Sequence, residues 1–168
     1  VHTEGIWMWS PDDFMLVAVD GGPAPDTDDR NFTRLLGVRL NEEGEVAFRG
    51  ELDGDQNDNE AIWVGDPNAP KIVAQKGHIA PGTGEQLFAN VGFHLLNDMG
   101  EVAILATVDS DPASDRGIWF GTSVEDLQLV AREGDLIEEL PGRRFTQISN
   151  LVHSLDNVGF TAKIDRSE

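Results

Sequence analysis

The sequence contains no cysteine, and only three of its cationic side chains are lysines. Without cysteine there are no disulfides and no thiolate metal sites, so the fold depends on an ordinary apolar core. Hydrophobic residues make up 39% of the 168 residues, which suffices for one globular domain. No apolar run approaches the ~18 residues of a membrane span, so we expect no membrane insertion. The start "VHTEGIW" has neither an initiating Met nor a signal pattern, and we expect a mature or excised segment.

Positive charge is scarce throughout the chain. The sequence has 31 Asp and Glu residues against 12 Lys and Arg residues, a formal net charge of −19. Such a field repels phosphate backbones and anionic lipids, because both need clustered cations to release counterions. Nucleic acid is therefore not an expected partner. Two interpretations of the acidity stay open: a well-solvated surface, or divalent-cation binding.

What the sequence does have is an internal repeat with a pitch of 56 residues. A fixed period of this length is typical of repeat architectures, and we expect one repeat domain over 1–168 with units at approximately 1–56, 57–112 and 113–168. We predict that the repeated apolar positions form the core. These positions are Trp7, Trp63 and Trp119 near the start of the units and Phe48, Ile104 and Phe160 near their ends.

Each unit divides into four short strand candidates separated by Gly, Pro, Asn and Asp. The last strand is the clearest: "EVAFRGEL" alternates between two faces, as do "EVAILATV" and "NVGFTAKI". The "NEEG" and "NDMG" segments supply Asn and Gly where a tight hairpin needs positive φ. Strands three and four of each unit are therefore predicted hairpin partners, and helix content should be small.

The fold class predicted from this pattern is all-β, with three tandem four-stranded antiparallel units. A lone sheet of this kind cannot bury its apolar face, so we expect the units to stack as the blades of a β-propeller. A β-trefoil or β-prism with internal three-fold symmetry remains the alternative. Because three blades do not comfortably close a ring, we expect a homo-oligomer or a part of a longer repeat array.

The turn that follows the third strand candidate, together with the start of the fourth strand, resembles a known pattern. Asn41, Gly44, Ala47 and Phe48 match an N-x-x-G-x-x-A-F motif, and the second copy matches with Ile104 in place of Phe. The third copy departs, with His153, Asp156 and Gly159 at the motif positions. The chain thus resembles bacterial tandem-repeat surface proteins of the choice-of-anchor type. The resemblance implies an extracellular or cell-surface repeat protein and brings no catalytic residues.

The acidic loops between units are the candidate metal sites. Calcium takes six to eight oxygen ligands, which D-x-D loops between strands can supply. The helix-flanked calcium loop is absent, and a solvated turn is the favoured interpretation. Calcium is the only cofactor considered, with the candidate ligands Asp53, Asp55, Asn57 and Asp58 in one loop and Asp109, Asp111 and Asp115 in its equivalent.

Other binding or catalytic patterns are weak. Trp9 stands where the other units have Gly65 and Gly121, and it is the candidate exposed aromatic for a glycan or a surface protein. The histidines lack zinc-site spacing, and no nucleophile elbow or phosphate loop occurs. We therefore expect a non-enzymatic exported module with a structural or binding role. The alternative is a lectin-like carbohydrate-binding module, and a hydrolase comes third.

Overall fold

Twelve β-strands and no helix occur in residues 3–155 and 157–165, the part of the chain that the computed structural model describes. This confirms the predicted all-β class and the small helix content. No helix suited to crossing a membrane is found in that part of the chain. The strands are β1 (Gly5–Trp9), β2 (Phe14–Val19), β3 (Phe32–Leu40), β4 (Val46–Leu52), β5 (Glu60–Gly65), β6 (Lys71–Gln75), β7 (Phe88–Leu96), β8 (Val102–Val108), β9 (Arg116–Gly121), β10 (Gln128–Arg132), β11 (Phe145–Ser154) and β12 (Asn157–Ile164).

The strands form four antiparallel sheets, of which two are complete and two are half the size. Strands β3–β6 form one four-stranded sheet and β7–β10 another, whereas β1–β2 and β11–β12 form two-stranded sheets. Each four-stranded sheet therefore begins with the third strand of one sequence repeat and ends with the second strand of the next. The three four-stranded units expected from the sequence are not present as such, because β1 and β12 have no partner strand on their outer sides among the described residues.

The predicted hairpins between the third and fourth strands of each repeat are confirmed. Strand β3 pairs with β4, β7 with β8, and β11 with β12, all antiparallel. The first two turns carry a glycine with positive φ, +82° at Gly44 and +75° at Gly100. A side chain would strain the backbone there, which explains the glycine of the motif.

The first two strands of the three repeats share one backbone irregularity. The register of the hairpin shifts between Ile6 and Trp7 in β1, and between Ile62 and Trp63 in β5. In the third repeat the same shift lies between Leu129 and Ala131, opposite Trp119. A β-bulge at one place in every copy shows that the local fold of β1–β2 matches the other copies.

The core lies between successive sheets. One apolar cluster joins β1–β2 to the β3–β6 sheet, a second joins the β3–β6 and β7–β10 sheets, and a third joins β7–β10 to β11–β12. Strand β7 contacts all four strands of the preceding sheet. Ala47 and Ala103 are fully buried, and their small side chains permit this close approach. Stacking of successive sheets is therefore what buries the repeated apolar positions.

Candidate functional site

An aromatic strip on the first hairpin is the most prominent exposed feature of the described residues. It consists of Trp7, Trp9 and Phe14, which are 57%, 70% and 64% exposed. The ring of Trp7 stacks on Phe14 with centroids 5.2 Å apart and an interplanar angle of 4°. Large aromatic side chains grouped at a surface mark an interaction site.

The exposure of Trp7 corrects the expectation that all three repeat tryptophans lie in the core. Trp63 and Trp119 are fully buried, with Nε1 donating to the carbonyls of Pro25 (2.8 Å) and Pro81 (2.9 Å). Their strands pair with β4 and β8 on one side and with β6 and β10 on the other. Among the residues that the structure describes, strand β1 pairs only with β2, and Trp7 has no covering strand equivalent to β4 or β8.

Both buried tryptophans sit on a phenylalanine of the preceding hairpin in the same geometry. Phe32 meets Trp63, and Phe88 meets Trp119, each with centroids 5.0 Å apart and an angle of 70°. Phe48 adds a stacked contact with Trp63 at 5.6 Å. The predicted core positions Phe48 and Ile104 are fully buried. The hairpin of the third and fourth strands thus forms the receiving surface for the next Trp-bearing strand.

The hairpin β11–β12 presents the same receiving surface without a tryptophan. Phe145 and Phe160, here called the receiving pair, have centroids 5.7 Å apart and an angle of 69°. Phe32 and Phe48, at the matching positions, are 5.9 Å apart at 61°. Both members of the receiving pair are only partly buried. The predicted core position Phe160 is therefore packed on one side and open on the other.

The N-x-x-G turn has a second role that the sequence did not indicate. Asn41 Oδ1 accepts the Glu45 N–H (2.7 Å), and its Nδ2 donates to the carbonyl of Asn97 in the next repeat (2.9 Å). Asn97 in turn donates to the carbonyl of Leu155 (2.6 Å). The motif asparagine therefore links each turn to the following one. The spacing of 56 between two asparagines was visible in the sequence, but the direction of the bond was not.

In the third copy of the sequence motif this position is His153, and Asp156 of the motif lies outside the described residues. The strand register corrects this alignment: His153 lies opposite Val158 as Leu40 lies opposite Val46, so Ser154 takes the place of the asparagine. The His153 ring packs edge-on against Phe120 at 5.2 Å, and neither of its buried ring nitrogens has a hydrogen-bond partner among the described residues. Burial lowers the pKa of His153, although the Glu101 carboxylate acts in the opposite direction. The series of bonds between motif asparagines and turn carbonyls therefore does not continue through His153, which packs within the third hairpin.

A buried polar cluster lies between the two complete sheets. Glu60, 8% exposed, accepts the backbone N–H of Val91 (2.8 Å) and the amide of Asn90 (2.9 Å), and pairs with Arg49. Glu133 accepts the corresponding N–H of Ile148 (2.8 Å) at the next sheet contact. These carboxylates satisfy a backbone N–H freed by the bulge of the facing strand, so they serve the packing of successive sheets.

His94 is the other buried titratable group at this contact. It is 3% exposed, its Nε2 has no hydrogen-bond partner among the described residues, and its ring lies against the α-carbon side of Gly37. Burial lowers the pKa of His94, and the nearby Arg39 cation acts in the same direction. No carboxylate pairs with it to make an acid–base couple in the part of the chain described here. His94 therefore serves packing as a neutral side chain.

The first acidic loop is held together by its own hydrogen bonds. Asp53 accepts both the backbone and side-chain N–H groups of Asn31 (3.0 and 3.2 Å), which hold its pKa below the ordinary value. Asp55 accepts the N–H of Asn57 (2.9 Å), and Asp58 pairs with Arg30 at 2.7 Å. The carboxylates face these donors rather than one another.

The second loop, with Asp109, Asp111 and Asp115, repeats this turn. Asp111 Oδ1 accepts the N–H of Ala113 (2.9 Å), and Arg132 donates to the carbonyl of Ser114 (2.6 Å). Within residues 3–155 and 157–165, no three His, Asp or Glu side chains converge as a metal site would require. The calcium hypothesis for the two loops therefore has no geometric support, and it stays a prediction to be tested by titration.

Residues 1–164 match the model of the Family of unknown function (DUF7453), and the chain belongs to this family. No curated protein and no solved structure matches the chain. The family carries no assigned activity, so a functional conclusion depends on the geometry described above.

Proposed function

We propose that this chain is a non-enzymatic, exported structural module that works by assembling with further repeat units at a cell surface or in an extracellular structure. The observation that carries this proposal is the contrast between Trp7 and its equivalents. The same residue in the same bulged strand is fully buried at Trp63 and Trp119 but 57% exposed at Trp7. The repeat tryptophan is buried where a neighbouring hairpin covers it, at Trp63 and Trp119. The exposed face of β1 is therefore a binding surface for a hairpin of the same kind.

The proposed architecture is of the propeller type, in which each blade combines the third and fourth strands of one repeat with the first and second strands of the next. The sheet order β3-β4-β5-β6 and its copy β7-β8-β9-β10 support this arrangement. Radial repetition of such sheets around a ring leaves only short, protected strand edges.

Location at the surface is supported by chemistry and by resemblance. A net charge of −19 keeps a protein with exposed aromatic side chains soluble and separated from nonspecific partners. The N-x-x-G-x-x-A-F motif resembles that of bacterial surface proteins. The motif residues Asn41 and Gly44 serve the turn and the inter-repeat bond, which is the work of a structural repeat rather than of an active site.

Surface labelling and co-sedimentation test this function. Antibody should label intact source cells, and the purified chain should co-sediment with their envelopes. A Trp7→Ser variant should lose most of this binding, because it cannot assemble with further repeat units. Val130→Ser, which alters a 43% exposed residue away from the strip, should retain it. Antigen confined to the cytosol, or envelope binding that ignores the loss of Trp7, would contradict the proposal.

A second candidate function is carbohydrate binding, and the observation that favours it is Trp9. Its indole is 70% exposed at a position where the other repeats have glycine, so the sheet itself does not need it. An exposed indole offers a flat apolar face with a polar N–H at its edge, which suits stacking on a sugar ring. A glycan array comparing the wild type with Trp9→Gly tests this. Binding that falls at least about tenfold in the variant supports it, and a blank array removes it.

A further inference from the structure

We infer that strand β1 of one copy pairs antiparallel with strand β12 of a second copy, and that two copies close by forming this junction twice. The inference rests on the proposed function, because it names the partner of the exposed β1 edge. Each junction would convert a β11–β12 half-sheet and a β1–β2 half-sheet into one four-stranded sheet of the order seen inside the chain.

The internal sheets define the register of this junction. Strand β4 pairs with β5 through Phe48↔Trp63, and β8 pairs with β9 through Ile104↔Trp119. The repeat pitch of 56 carries these pairs onto the two free edges. The register predicted at the junction, with the β12 residue first, is Val158↔Trp9, Gly159↔Met8, Phe160↔Trp7, Thr161↔Ile6, Ala162↔Gly5 and Lys163↔Glu4.

The receiving pair is already in place for the incoming indole. Phe145 and Phe160 lie at 5.7 Å and 69°, close to the 5.9 Å and 61° of Phe32 and Phe48, which hold Trp63. Trp7 of the second copy would leave its stack on Phe14 and enter between them. Burial of one indole removes roughly 150–250 Å² from water, and the closed dimer buries two.

Charge at the junction is also complementary. In this register Lys163 of β12 lies opposite Glu4, which immediately precedes β1. The two form an opposite-charge cross-strand pair in a chain with only three lysines.

Two copies suffice because each copy offers one β1 edge and one β12 edge. Head-to-tail contacts either run on as a filament or close into a ring. Two copies contribute four complete sheets and two composite ones. A ring of six four-stranded sheets lies within the roughly four to eight that closed propellers use, so closure leaves neither the β1 edge nor the β12 edge unpaired.

The mass in solution is the first test. At about 100 μM the wild-type chain should sediment at twice its 18.3 kDa. Trp7→Ser should sediment as a single folded chain, because Trp7 is outside the core of the isolated copy, and Val130→Ser should remain dimeric. A wild type at 18.3 kDa, or at any mass other than twice that value, overturns the inference.

A cysteine pair tests the register itself, in a chain that has no cysteine of its own. Leu52 N–H donates to the Asn59 carbonyl at 2.8 Å, which makes the adjacent pair Glu51↔Glu60 a non-hydrogen-bonded one. Lys163↔Glu4 is the equivalent pair, and its α-carbons should lie about 4.5 Å apart, within disulfide range.

The double variant Glu4→Cys/Lys163→Cys should therefore form a covalent dimer under mild oxidation. The control Glu4→Cys/Ala162→Cys should not, because Ala162 points to the opposite face of the strand. Equal cross-linking of the two variants, or a disulfide within one chain, overturns the proposed pairing. A monomer that still binds envelopes through Trp7 would reject the second copy as partner while leaving the proposed function intact. A dimer found only in the cytosol would support the pairing of two copies but contradict the proposed function.

Discussion

The complete sheets and the β1–β2 half-sheet contain the same Trp-bearing strand, which is covered on both sides in the former and on one side in the latter. In the β3–β6 and β7–β10 sheets the Trp-bearing strand lies between two neighbours, and Trp63 and Trp119 are fully buried. In the β1–β2 half-sheet the bulge and the hairpin are the same, yet Trp7 is 57% exposed. The local sequence therefore forms the hairpin by itself, whereas burial of its tryptophan depends on a strand from the neighbouring repeat.

Removing the indole is expected to give the largest difference between the two regions. Trp63→Ala should lower the free energy of unfolding by about 3–5 kcal/mol, because it leaves a cavity between Phe32 and Phe48 and an unpaired Pro25 carbonyl. In dilute protein Trp7→Ala should cost less than about 1 kcal/mol. Denaturant titration of both variants measures this, and equal losses would contradict the comparison.

Removing the carboxylate at the start of the same strand should give the next largest difference. Glu60→Ala leaves Arg49 unpaired and the Val91 N–H without its acceptor, so we expect a loss of about 3–4 kcal/mol. Glu4, its counterpart immediately before β1, is exposed, and Glu4→Ala should change the free energy of unfolding by less than about 0.5 kcal/mol. Chemical denaturation of the two variants side by side provides the test, and a Glu60→Ala loss below that of Glu4→Ala would count against the buried cluster.

The pH dependence of stability compares a complete sheet with the half-sheet β11–β12. Burial lowers the pKa of His94 below the 6.5 of an unfolded histidine. As the pH falls through about 6.5, the unfolded chain therefore binds more protons than the folded chain does. Stability should therefore be highest above that pH and decrease below it.

The matched variant is His94→Leu, because β11 has the buried Leu151 at this position. We expect the variant to lose this part of the pH dependence. When the pH is lowered from 7.5 to 5.5, its melting temperature should fall less than that of the wild type. If the melting temperatures of the two proteins change equally with pH over that range, His94 has the same pKa in the folded and unfolded states, which would contradict this prediction.

The smallest effect is expected from calcium. The oxygens of Asp53 and Asp58 are engaged by Asn31 and Arg30. In the described part of the chain these carboxylates belong to no group of three side chains able to hold a metal ion. Millimolar calcium followed by chelator should leave the melting temperature unchanged, since a ligand bound only by the folded state must raise it. A midpoint that rises with calcium and falls with chelator would restore the metal hypothesis for these loops.

Sequence reasoning predicted the elements of this fold better than their grouping. The alternation in "EVAFRGEL" and the Asn-to-Gly turn before it predicted the β3–β4 hairpin, which the structure confirms. The repeat pitch, however, does not say where one sheet ends and the next begins. It leaves open whether the strand of Trp63 pairs with the hairpin before it or with the one after it. The β4–β5 pairing joins it to the hairpin before.

The same limit explains which site residues were missed. Trp7 reads as core because its neighbours in sequence match those of Trp63, but burial depends on a strand that is distant in sequence. The receiving pair Phe145 and Phe160 was visible only as two repeat positions, since their contact is made across a hairpin. Trp9 could be identified as exceptional because Gly65 and Gly121 stand at its equivalents, and the structure places it at the surface.

Amide hydrogen exchange of the Trp-bearing strands, followed by mass spectrometry at high and low protein concentration, tests most directly whether burial of the repeat tryptophan requires a neighbouring hairpin. The amides of β5 and β9 should be protected at both concentrations. The β1 and β12 amides that are not bonded to β2 and β11 should be protected only at the high concentration and exchange rapidly after dilution. Protection of β1 equal to that of β5 at every concentration, or rapid exchange of all three strands alike, would contradict the account.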